Sequence, residues 1–112
     1  MSTMTWNPQS HSDYDLLKGY DVYTSDDEKV GTIKDVLHPQ TEMPTARGRH
    51  YFKVEPGMLK QLFSDQDEFY LPERLIQTVQ PQEDKVILEM PKSRLKNEDW
   101  MQPRDVNSFR RS

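Results

Sequence analysis

Residues 17–39 read LKGYDVYTSDDEKVGTIKDVLHP, and the fold class follows from this stretch. Two β-prone runs, residues 20–24 and 30–37, flank the acidic turn Ser25-Asp26-Asp27-Glu28. Val22, Tyr23, Val30, Ile33 and Val36 are β-branched or aromatic, side chains that suit a pleated, half-buried surface. Gly31 lies just inside the second run, where the missing Cβ permits a bulge or a close backbone approach. Val30, Ile33 and Val36 follow one another at odd intervals, so an unbroken strand cannot place them on one face. Bulges near Gly31 and Asp35 solve this, and they bend a sheet as a small barrel requires. A helix would also align positions i, i+3 and i+6, but three β-branched residues, a glycine and Pro39 weigh against it. The expectation is a strongly coiled hairpin that opens a small β-barrel.

Further elements follow the same logic. Residues 38–49, HPQTEMPTARGR, form a turn-rich connection with two prolines and a glycine. In residues 50–54 Phe52 and Val54 share one face, and Tyr51 and Lys53 the other. Phe69-Tyr70-Leu71 is a strand stopped by Pro72, and residues 73–76 make a turn of helix. Residues 78–80 and 85–90 form a last hairpin around Pro81-Gln82-Glu83-Asp84, with Val86, Leu88 and Met90 on one face and Ile87 on the other. Between these, Met58, Leu59, Leu62 and Phe63 recur at i, i+1, i+4 and i+5, the spacing of one helical turn with an apolar side. The expected core is Val22, Val30, Ile33, Val36, Phe52, Val54, Phe69, Leu71, Val79, Val86 and Leu88. The polar residues 1–13 read as a flexible arm, 14–100 as one barrel domain, and 101–112 as a flexible tail, with Trp100 and Met101 its last anchors and Trp6 a docking candidate.

The totals bound the function. In 112 residues the chain carries 33% hydrophobic and 30% charged residues and a formal charge of −4, with a mean hydropathy of −0.98. One small core fits this length, and self-association would extend its burial. The acidic balance speaks against direct nucleic-acid binding, which needs a concentrated basic face. The chain has no cysteine, which removes disulfides, thiolate catalysis and Cys-based zinc sites and fits a reducing cytoplasm. No apolar run approaches the about 18–20 residues that span a bilayer. The N-terminal residues carry neither the basic nor the apolar region of a secretory signal.

Taken in order, these elements resemble the PRC-barrel family over roughly residues 14–100. Leu17-Lys18-Gly19 precede the first strand, Val30-Gly31-Thr32-Ile33-Lys34-Asp35-Val36 resembles the family's second strand, and residues 51–57, YFKVEPG, its third. Phe69-Tyr70-Leu71-Pro72 with Leu75 and Ile76, then residues 85–90, complete the series. The first turn departs from the family's usual Asp-Gly, having Asp27-Glu28. The resemblance implies an all-β, strongly coiled antiparallel barrel of five or six strands. It also implies a stand-alone bacterial protein that docks or regulates rather than catalyses, in stress response or complex assembly. The reaction-centre H subunit and a ribosome maturation factor carry the same domain. By analogy with the latter, the alternative is a ribosome-maturation or RNA-processing accessory that binds a basic ribosomal protein. A third reading is an enzyme or small-ligand binder, but a barrel this small is filled by its own side chains.

The chemistry-bearing residues support no catalytic or cofactor site. Asp26-Asp27-Glu28 and Asp65-Gln66-Asp67-Glu68 both fail the calcium-loop pattern, having Val30 and Phe69 where an oxygen ligand is needed. His11, His38 and His50 show no HxH or HxxH spacing and are expected as surface or loop-capping groups, with no metal. No GxSxG occurs and the four glycines are scattered. The candidate interaction residues are therefore Met58, Leu59, Leu62 and Phe63. They are either a plug over one mouth of the barrel or a patch for a partner, and a homodimer or larger homo-oligomer is expected.

Overall fold

The structure is a computed structural model that describes residues 8–43, 45–46, 48–57, 67–97, 100 and 110–111. Met58, Leu59, Leu62 and Phe63 lie outside the described residues, as does Trp6. The strands are β1 (Asp21–Tyr23), β2 (Lys29–His38), β3 (Tyr51–Pro56), β4 (Phe69–Pro72), β5 (Ile76–Gln80), β6 (Lys85–Leu88) and β7 (Arg110–Arg111). A short helix, α1 (His11–Asp15), precedes them. The main sheet runs β4-β3-β2-β1-β6-β5, and β7 adds to β2. Its two edge strands, β4 and β5, are joined by a single 3-10 turn, Glu73–Leu75. Edges so tethered can meet only if the sheet rolls up, and the result is a strongly curled half-barrel.

The curl comes from β2. Between β1 and β2 the register slips where Tyr23 pairs with Lys29 and Val22 with Gly31, which leaves Val30 as the extra residue. Between β2 and β3 it slips again, with Ile33 opposite Val54 and Asp35 opposite Lys53, which leaves Lys34 unpaired. These are the bulges that the odd spacing of the apolar residues demanded. They let Val30, Ile33 and Val36 all enter the core. At Gly31 the neighbouring strand comes so close that a Cβ would meet Glu55 O at 2.5 Å and Val54 Cγ1 at 2.8 Å. The acidic turn is closed by Thr24, whose backbone N–H donates to Glu28 O (2.9 Å). Its buried hydroxyl accepts from the Glu28 N–H (3.0 Å) and donates to Asp26 Oδ1. Asp27 takes the left-handed conformation (φ 68°), which aspartate adopts more readily than most residues, and Glu28, where the family usually has glycine, needs no positive φ.

All pairings are antiparallel except that of β1 with β6, which is parallel. These two strands are far apart in sequence, so no tight turn fixes their relative direction. The core holds all the residues expected there, together with Tyr14, Leu17, Leu75, Met90, Leu95 and Trp100. Trp100 donates its indole N–H to Leu95 O (2.7 Å), and its own carbonyl accepts from the Tyr70 N–H on the free edge of β4 (3.0 Å). Its ring meets Phe69 edge to face at 5.3 Å.

Phe69 is fully buried. Phe69→Ala should therefore lower stability by about 3–5 kcal/mol in a urea titration, whereas a surface position would lose less than about 0.5 kcal/mol.

Candidate functional site

The end of β2, the start of β3 and helix α1 meet at one mouth of the half-barrel. The antiparallel register pairs Leu37 with Tyr51, so the next residues outward, His38 and His50, become neighbours. His11 reaches them from α1. This helix has only five residues, too few to stand alone in water. At its start, the Asp13 carboxylate accepts the N–H groups of Gln9 (2.7 Å) and Ser10 (3.2 Å). Tyr14 and Leu17, both buried, anchor it to the barrel. His11, Ser12 and Asp13 thus belong to a folded element, although their polar sequence reads as part of the arm.

The three histidines converge, contrary to the expectation of separate surface or loop-capping groups. Ring centroids stand 5.0 Å (His11–His38), 5.2 Å (His11–His50) and 5.0 Å (His38–His50) apart. His50 Nε2 lies 3.1 Å from His11 Nδ1 and 3.1 Å from His38 Nδ1. One donor nitrogen from each ring lies within 4.8 Å of the others, the arrangement of a group able to hold a metal ion. His38 and His50 are buried and His11 is half-buried.

Oxygen acceptors surround the triangle. His11 Nε2–H donates to Thr41 O (3.1 Å), and His38 Nε2–H donates to Asp15 Oδ1 (2.8 Å). Behind His50 stands Glu73, buried on the turn that joins the two sheet edges. Its Oε2 accepts from Tyr14 Oη–H (2.8 Å) and its Oε1 from the His50 backbone N–H (3.2 Å). The His50 Nδ1 is buried and makes no hydrogen bond with the described residues; Glu73 Oε1 is 3.5 Å away. Tyr14 stacks flat on His50, with centroids 3.5 Å apart and planes 7° apart, and fixes the ring's orientation. Burial pushes the His38 imidazole below its ordinary pKa, a tendency opposed by the Asp15 carboxylate.

The acidic turns do different work. Asp26 accepts from the Thr24 hydroxyl and from the Lys92 N–H, and the hydroxyl bond above all holds its carboxyl below the usual range. Asp27 pairs with Lys85 (3.1 Å), and Glu68 with Lys53 (3.2 Å). These contacts close turns and bind neighbouring strands.

The PRC-barrel domain model matches residues 11–95, three quarters of the chain and all of β1 to β6. The chain belongs to the PRC-barrel family. No curated protein shows a significant match to it. The matched region of this PRC-barrel chain begins at His11 and takes in all three histidines. Sequence spacing gave no hint of their meeting. The signal that could have found it is the strand register, since pairing Val36 with Phe52 on the core face puts residue 38 beside residue 50.

Tyr14→Phe removes the proton that Glu73 Oε2 accepts and leaves a buried carboxylate oxygen short of a donor. It should cost about 1–3 kcal/mol in chemical denaturation, with the β-sheet circular dichroism unchanged. Wild-type stability would contradict the Tyr14–Glu73 bond.

Proposed function

We propose that this PRC-barrel chain is a non-catalytic docking and regulatory module that works through its outer surface, including association with its own copies. The observation that supports this reading is the filled interior. Val22, Phe52, Phe69, Leu71 and Leu88 are fully buried inside the curl, which leaves no apolar chamber for a small substrate among the described residues. Recognition then falls to loops and edges. The family resemblance supports the same reading, because its barrels serve as docking parts of larger assemblies. The helical-turn sequence with Met58, Leu59, Leu62 and Phe63 is the contact we propose. The strands and α1 already supply the core with its large apolar side chains. Four further ones left in water would make a patch near the upper range for a monomer.

Multi-angle light scattering on the wild type and on a Leu59→Asp, Phe63→Asp double variant tests this. The expected result is a wild-type dimer or larger oligomer that falls to monomer in the variant while the circular dichroism stays the same. A monomeric wild type at high concentration, or an oligomer indifferent to both charges, would overturn it.

A further inference from the structure

We propose that His11, His38 and His50 form a binding site for one divalent transition-metal ion of the zinc class, which ties α1 to the ends of β2 and β3. Thr41 O and the Asp15 carboxylate can only accept hydrogen bonds. His11 Nε2 and His38 Nε2 therefore carry protons, and in neutral rings their Nδ1 atoms present lone pairs to the centre. His50 Nε2 lies 3.1 Å from both of these lone pairs.

His50 has two neutral tautomers, and neither satisfies the cluster. With the proton on Nδ1, facing Glu73, three lone pairs point at one another across a buried space. With the proton on Nε2, one hydrogen serves two acceptors, and the Nδ1 lone pair then faces the Glu73 carboxylate at 3.5 Å. Unpaired buried nitrogen is costly either way. A cation at the centre resolves the conflict, because all three inward lone pairs become ligands and all three outward N–H groups face oxygen.

Geometry agrees with this occupant. Two nitrogens about 2.0–2.1 Å from a tetrahedral ion stand about 3.3 Å apart; the two pairs that His50 Nε2 makes are at 3.1 Å, and all three ligand atoms lie within 4.8 Å of one another, so binding needs only a small adjustment of the His11 and His38 rings. Ligating histidines commonly donate their other N–H to a carboxylate or a backbone carbonyl, which fixes tautomer and ring orientation. Asp15, Glu73 and Thr41 O stand in those places. The donor set selects the metal: three imidazoles without carboxylate or thiolate suit zinc, copper or nickel and disfavour calcium and magnesium. Three protein donors leave a fourth tetrahedral position to water or another group.

The test uses the full chain without a polyhistidine tag, stripped by a chelator and dialysed. Calorimetric titration with Zn2+ and optical titration with Co2+ should both reach one ion per chain, the latter with tetrahedral d–d absorption. Zinc should raise the Tm of the wild type. His11→Gln alters a half-buried side chain outside the barrel strands and should weaken zinc binding at least about tenfold and abolish the Tm rise. X-ray absorption at the zinc edge of the loaded wild type needs no variant and should show three imidazole ligands. Failure to retain any ion, a shell with fewer than three imidazoles, or zinc affinity unchanged in folded His11→Gln would each overturn the site. A cluster that keeps no metal would instead be held by a shared proton. None of these outcomes bears on the oligomer test, so the two proposals fail separately.

Discussion

Strand β2 is the constraint on which the remaining structure depends. It pairs with β1, β3 and β7, and its bulges at Val30 and Lys34 turn a straight ladder into a bend. Without them the period-2 alternation of a strand would send Ile33 to the opposite face from Val30. With them, Val30, Ile33 and Val36 all point inward. The close passage of β3 over Gly31 holds the first bend in place. That curvature lets the three-residue turn Glu73–Leu75 join the two edges of the sheet.

The same strand builds the candidate site. Its last residue is His38, and its register with β3 sets His50 alongside. The turn that joins the sheet edges supplies Glu73, whose backbone N–H donates to His50 O (3.0 Å) while its carboxylate accepts from the His50 N–H. Helix α1 supplies three contacts to the same place: His11 to the triangle, Asp15 to His38, and Tyr14 to His50 and Glu73. Polar burial at this mouth is thus shared among the helix, the hairpin and the joining turn. A change that loosens any of these elements should disturb the other two.

Much of the barrel was legible in the sequence. Odd apolar spacing located the bulges, alternation in residues 51–54 and 86–88 assigned the buried faces, and Pro81 to Asp84 marked the last hairpin. These are local patterns, set by strand period and turn chemistry. The missed features are non-local. α1 is too short and polar to show a helical stripe, and it is ordered by Tyr14 and Leu17 docking on strands far along the chain. The β1–β6 pairing is parallel, and no short connection between these strands marks its direction in the sequence. The histidine triangle needs both the β2–β3 register and the docking of α1, and metal-ligand spacing in one stretch of sequence registers neither. A structural histidine and a ligand histidine look alike until their neighbours are known.

The bent β2 strand is tested most directly by the equilibrium stability of Gly31→Ala. Where a glycine's backbone suits any residue, alanine stabilises by about 0.4–1 kcal/mol through the unfolded chain. Here the added Cβ would press on the Glu55 carbonyl and Val54, so the strands must separate. Gly31→Ala should lose about 1–3 kcal/mol in urea unfolding, with the transition still cooperative. A Gly31→Ala protein as stable as the wild type, or more stable, would contradict the close β2–β3 approach from which the curl, the core and the histidine site are built.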